Sequence, residues 1–65
     1  MKISVVIPCY NSEATISKVV KMVIEELTKR EYDYEFVLVN DFSKDNTFGK
    51  IRELAEEDSR IIGLD

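Results

Sequence analysis

A chain of 65 residues holds one domain at most, and a domain of that size hides only ~60% of the surface its unfolded form exposes. One cysteine, Cys9, and no histidine exclude an internal disulfide and a Cys/His zinc site, two common ways of stabilising so short a chain. The net charge of −4 argues against a nucleic-acid backbone as partner, which calls for a basic face.

The first element is "ISVVIP", Ile3 to Pro8, a β-branched run stopped by proline that reads as a strand buried on both faces. The uncharged segment around it, Ile3–Ser12, has ten residues, too few to span a bilayer, and lacks the cationic start and cleavage site of a secretory leader. A cytoplasmic location is expected.

"NSEATISKVVKMVIEELTKR", 11–30, then switches to helical spacing, with Ile16, Val19, Val20, Val23, Ile24 and Leu27 on one apolar stripe. Asn11 or Ser12 is placed to cap its first turn, and Glu13 suits the positive end of its dipole. Glu25 with Lys29 and Glu26 with Arg30 are i,i+4 pairs of a solvated face. "EYDYE" reads as a polar connector, followed by "FVLVN", Phe36 to Asn40, as a second strand buried on both faces.

"DFSKD" makes the next turn. A second helix runs from about Asp45 or Asn46 to Glu57, with Phe48, Ile51, Leu54 and Ala55 inward; Gly49 weakens it by ~1 kcal/mol relative to alanine. "RIIGLD" begins a third strand. The order strand-helix-strand-helix-strand predicts an α/β fold, half of a doubly wound Rossmann-like parallel sheet with right-handed crossovers. Ligands of such sheets bind beyond the carboxyl ends of the strands, where "PCYNSE" and "NDFSKD" both lie. The two segments are expected to be neighbours along one rim.

The phosphate cradles of dinucleotide and P-loop enzymes, G-x-G-x-x-G and G-x-x-x-x-G-K-[ST], are absent, since Gly49 and Gly63 lie away from both turns. The rim offers an aromatic ring, Tyr10, an amide, Asn11, and carboxylates at Glu13, Asp41 and Asp45, with Lys44 the one cation. A carboxylate at the mouth of an apolar strand is costly unless it is paired or stays wet. Such an acceptor beside a ring suits the N–H edge and face of a base, or sugar hydroxyls.

"ISVVIPCYNSEATI" followed by "YEFVLVNDFSKDNT" resembles the amino-terminal part of family 2 glycosyltransferases of GT-A fold, in which one strand ends in Pro-x-Tyr-Asn and the next in Asp-Asp or Asn-Asp followed by x-Ser-x-Asp. The resemblance covers nearly the whole chain. It implies a nucleotide-diphosphate sugar donor, with Pro8 and Tyr10 lining the base pocket and Asp41 accepting a base N–H. Asn11 and Glu13 would shape the turn or approach the nucleotide. An N–H acceptor favours uracil or guanine over adenine, hence UDP- or GDP-linked sugars. The resemblance also implies Mg or Mn in the full-length enzyme, and a place at the inner membrane face is compatible with it. The metal-binding Asp-x-Asp and the catalytic base of the family belong further along than Asp65. The chain is therefore expected to be the amino-terminal nucleotide-recognition segment, residues 1–65, truncated before the metal motif and inactive alone in transfer to an acceptor hydroxyl.

Plainer roles stand beside these. Asn11 is also a natural helix cap, Ser43 and Asp45 are natural caps of the second helix, Tyr10 can simply pack, and Asp41 can simply form a turn. Cys9 has no activating neighbour and reads as an inert small residue. Phe42 stands where the family usually has glycine, a position that signals positive φ or close approach of a ligand. The competing reading is a non-catalytic α/β oligomerisation or interaction module. A response-regulator-like domain around Asp41 lacks the acidic pair it needs after the first strand. The first strand, bare on one edge and free of internal charge, is expected to support self-association.

Overall fold

The computed structural model describes residues 2–65. Its elements are β1 (Lys2–Cys9), α1 (Ile16–Lys29), β2 (Asp33–Asn40), α2 (Thr47–Glu57) and β3 (Ile61–Leu64). The strands make one parallel sheet in the order β1-β2-β3, the half-sheet expected from the sequence. Ile3, Val5 and Ile7 stand opposite Tyr34, Phe36 and Leu38, while Phe36 and Leu38 stand opposite Ile61 and Gly63.

Those register partners share one face of the sheet, and both helices cover it. Tyr34, Phe36 and Leu38 from β2 meet Ile16, Val20 and Leu27 from α1 and Ile51 and Leu54 from α2 in a single core. Phe36, Leu38, Val20 and Ile51 are fully buried. Each such side chain contributes roughly 1.5–3 kcal/mol relative to leaving it in water. The i,i+4 pairs of α1 do form, Glu25 with Lys29 at 3.7 Å and Glu26 with Arg30 at 3.9 Å, and they lie in solvent as expected.

Three expectations are corrected. The strands are covered on one face only: β1 alternates exposed and covered residues along its length, and Val6 is 64% exposed. A run of β-branched residues satisfies either case, and only the position of the helices distinguishes them. Second, "EYDYE" is not all connector, because β2 already begins at Asp33 and Tyr34 is a core residue. Its period-2 relation to Phe36 and Leu38 was the available signal. Third, Val19 belongs to the apolar stripe by spacing but is 42% exposed, since it sits at the edge of the face that Ile16 and Val20 bury.

Tyr34 closes the amino-terminal end of the sheet. Its ring meets Phe36 edge-on at 5.6 Å, its hydroxyl donates to Asp58 at 3.2 Å, and the Arg60 guanidinium stacks over it at 4.3 Å. Burial, with the Asp58 charge beside it, pushes the Tyr34 phenol above its usual range. The backbone N–H of Arg60 holds Asp58 below the usual carboxylate range, with the Tyr34 hydroxyl assisting.

Gly63 lets α2 approach β3. A β-carbon there would lie 2.5 Å from the Cγ2 of Ile51, which is itself fully buried. Gly63→Ala is expected to lower stability by about 1–3 kcal/mol through overpacking. Urea unfolding checks this, and an unchanged midpoint would mean that α2 does not press on β3 so closely.

Candidate functional site

The site is the rim formed by the loop from β1 to α1, residues 10–15, and the loop from β2 to α2, residues 41–46. Cys9 and Asn40 are the last register partners of the two strands, and the N–H of Asp41 donates to the carbonyl of Cys9 at 2.8 Å. Tyr10 and Asp41 therefore leave neighbouring strands at the same end, one residue beyond the last pair. Tyr10 is 57% exposed, and Pro8 and Asp41 are also exposed.

Between the loops runs a set of crossed hydrogen bonds. The N–H of Asn11 donates to Ser43 Oγ at 3.0 Å, and Asn11 Oδ1 accepts the N–H of Lys44 at 2.8 Å. Ser12 N–H donates to Thr47 Oγ1 at 2.8 Å and Glu13 N–H to Asp45 Oδ2 at 3.2 Å. In return Glu13 Oε1 accepts the N–H of Asn46 at 2.9 Å. Asp45 Oδ1 accepts both the N–H and the hydroxyl of Thr47. Side chains of each loop thus accept backbone N–H groups of the other, none of which a helix carbonyl reaches.

This arrangement settles the capping alternatives. Neither Asn11 nor Ser12 caps α1 with its side chain; the helix starts at Ile16, and the Ser12 carbonyl accepts from Thr15 and Ile16. Ser43 bonds across to Asn11 rather than to α2. Asp45 does serve the start of α2, through Thr47, and at the same time reaches Glu13. Thr47 was not singled out from the sequence, yet its side chain is fully buried beneath both loops. A Ser-x-Asp-x-Thr spacing in "SKDNT" carries that signal only once the partner loop is in place.

The bonds determine which groups remain free. Asn11, Ser12, Glu13, Lys44, Asn46 and Thr47 all have their N–H groups committed to side chains, so the rim does not present them as a phosphate cradle. The Thr47 hydroxyl, followed by the Glu13 and Thr47 N–H groups, holds the Asp45 carboxyl below the usual carboxylate range. Among the described residues the carboxylate of Asp41 has no hydrogen-bond or ion-pair partner. It stays exposed, with Phe42 next in the chain and Tyr10 at the end of the adjacent strand.

Two hollows flank these loops. One of about 480 Å³ is lined by Asn11, Glu13, Ala14, Ser17, Asp45 and Lys50. The other, of about 460 Å³, is lined by Asn40, Phe42, Ser43 and Asp65. Tyr10 and Asp41 line neither, so the structure brings Asn11 and Glu13 together around one hollow and leaves Pro8, Tyr10 and Asp41 on the open rim. Asn11 and Phe42 both have positive φ, 47° and 51°. Asparagine tolerates that region, whereas for a phenylalanine it costs roughly 1–2 kcal/mol. Burial pushes the Cys9 thiol up, away from reactivity.

A rim of this kind, at the carboxyl ends of parallel strands and without a Gly-rich phosphate loop, lies where open α/β sheets bind their ligands. A profile described as glycosyl transferase family 2 matches residues 4–65, and the chain belongs to that family. Its sheet is accordingly the start of a GT-A Rossmann-like fold. Among similar proteins, the undecaprenyl-phosphate 4-deoxy-4-formamido-L-arabinose transferase of Proteus mirabilis is 38% identical over 64 residues, covering 97% of this chain and 20% of its own length. The bactoprenol glucosyl transferase of Shigella phage SfV is 41% identical over 64 residues, covering 98% of this chain and 21% of its own. A dolichyl-phosphate beta-glucosyltransferase of Trichomonas vaginalis is 39% identical over 67 residues, covering 95% and 20%. The chain spans about a fifth of the length of these relatives.

The crossed bonds give a direct test. Thr47→Val leaves the Ser12 N–H without an acceptor and is expected to cost about 1–3 kcal/mol. The lowered pKa of Asp45 contributes stability that is fully present above the unfolded-state value, about pH 4, and is lost as pH falls through the lower folded value. Asp45→Asn is therefore expected to melt below the parent at neutral pH and to converge with it as the pH drops below ~4. Thermal melts from neutral to acid pH check this; a constant gap at every pH would show that the charge is not what holds the loops.

Proposed function

We propose that this chain is the base-recognition part of a glycosyltransferase that takes its sugar from a nucleoside diphosphate. The observation that supports the reading is the free, exposed carboxylate of Asp41 at the end of β2, beside Tyr10 at the end of the adjacent β1. Every other rim acid with a structural partner is committed to backbone N–H groups; Asp41 is left to accept one from a ligand. Uracil N3–H and the guanine N1–H edge donate, whereas adenine N1 accepts, so UDP- or GDP-linked donors fit best. Tyr10 and Pro8 supply the apolar contact. Asn11 and Glu13 act by holding the two loops in register, the turn-shaping role rather than direct contact.

The names of the relatives extend the reading to the acceptor. Three of them are named for transfer to undecaprenyl phosphate, bactoprenol or dolichyl phosphate, and we assign a polyprenyl phosphate acceptor to the parent protein. Such an acceptor is an oxyanion at neutral pH and needs no general base, unlike a hydroxyl. In the transfer the anomeric carbon's bond to the diphosphate breaks as its bond to the acceptor phosphate oxygen forms. No helix of the described residues is long and apolar enough to cross a membrane, and a lipid acceptor places the work at a membrane face.

A divalent cation, Mg or Mn, belongs to the full-length reading. The described residues do not fit one: no three acidic, histidine or cysteine side chains converge, and Glu13 and Asp45 are occupied by N–H groups. No step is assigned to it within this chain.

Titration of the ¹⁵N-labelled chain with UDP, GDP and ADP tests the reading. UDP or GDP is expected to shift the amides around Tyr10 and Asp41, ADP less so, and Asp41→Asn is expected to weaken the response roughly tenfold or more. Silence toward all three at millimolar concentration would favour the plain interaction module. The edge position of β1, with Val6 exposed, also supports the pairing of two copies along their first strands. Sedimentation is expected to show dimer at high micromolar concentration; a clean monomer there would remove that part.

A further inference from the structure

Phe42 combines two unfavourable features. Its ring is 91% exposed and takes no part in the hydrophobic core, and its backbone φ of 51° lies in a region that a bulky side chain avoids. Among the described residues, no packing against the core offsets either one. Strain held by the surroundings is a mark of functional positions, and here the surroundings that hold it can be named. On one side, Asp41 N–H is bonded to the Cys9 carbonyl at 2.8 Å. On the other, Ser43 Oγ accepts the Asn11 N–H at 3.0 Å and donates to the same carbonyl at 3.4 Å. The ring is thus presented from a fixed turn, directly after the one rim carboxylate without a partner.

We infer that Phe42 is a stacking residue for the nucleotide base, a second aromatic surface beside Tyr10 against which the base lies while its N–H edge meets Asp41. This rests on the nucleotide reading above and adds to it a residue that the position's usual glycine cannot supply. The chemistry of the neighbourhood selects the base over the diphosphate. The hollow beside the ring is lined by Asn40, Ser43 and Asp65 without a cation, and its one charged group is an anion, which disfavours the diphosphate there. Insertion of the ring into a lipid surface is the other use of an exposed phenylalanine. The exposed Asp41 carboxylate directly before the ring disfavours its insertion into an anionic bilayer surface.

The substitution Phe42→Gly separates a stacking role from a structural one because the two move different readouts. Glycine adopts positive φ freely, so the thermal midpoint is expected to hold or to rise by up to about 5 °C. UDP affinity is expected to fall roughly tenfold, within the range that a base–aromatic stack supplies. Phe42→Tyr, which keeps the ring, is expected to retain it, and nuclear Overhauser contacts are expected between the Phe42 ring and the uracil H5 and H6 protons. Unchanged UDP affinity in the glycine variant, or absence of those contacts in a chain that binds UDP, would overturn the assignment while leaving the nucleotide reading intact. Failure of the parent chain to bind UDP or GDP would remove both. Binding to phosphatidylglycerol vesicles that disappears in Phe42→Gly, with UDP affinity unaltered, would assign the ring to lipid instead.

Discussion

Reciprocal hydrogen bonding between two loops far apart in sequence is the constraint on which the rest of this domain depends. Glu13 accepts the N–H of Asn46 just before α2, and Asp45 accepts the N–H of Glu13 in the β1–α1 loop as well as that of Thr47 in its own helix. A helix exposes four unsatisfied N–H groups at its first turn, and in a parallel α/β sheet the turns from successive strands open at the same rim. The loops leading into two such starts lie side by side here and bind one another, through residues 32 to 35 positions apart. Long-range order at the rim thus comes from polar groups, while the core under the helices supplies the bulk of the stability.

The division of labour among the rim acids follows from that. Asp45 and Glu13 look in sequence like ligand groups as much as Asp41 does, because all three are carboxylates near helix starts. Their geometry separates them. Asp45 accepts three hydrogen bonds and Glu13 one, all from the protein, whereas Asp41 accepts none among the described residues. A carboxylate already saturated by donors has little to offer a ligand, and one left wet at the end of an apolar strand has its acceptor capacity intact. The same bracket holds Asn11 and Phe42 in the left-handed region, so the framework that orders the loops also presents the aromatic residue beside Asp41.

One sheet face carries both helices and the other is open, with Val6, Ile62 and Leu64 exposed on it. In the order β1-β2-β3, crossovers of one hand put α1 and α2 on the same side, where both meet the core, and nothing among the described residues covers the opposite one. The strands are apolar on both faces because a β-branched run suits either environment, so their composition did not reveal this asymmetry.

The alternation of apolar strands with amphipathic helices is enough to specify a parallel half-sheet, since strand and helix periods differ and βαβ units have one hand. The motifs "PCYNS" and "NDFSKD", placed at strand ends, are enough to locate the rim and to point to the family. Element boundaries were less legible: Tyr34 reads as connector until its register opposite Ile3 shows it to be core. What only the tertiary structure decided is the role of each polar side chain. Asn11, Ser43, Asp45 and Thr47 each find a partner on the neighbouring loop, 32 to 35 positions away, and hydrogen bonding at that separation leaves no periodic trace in the sequence.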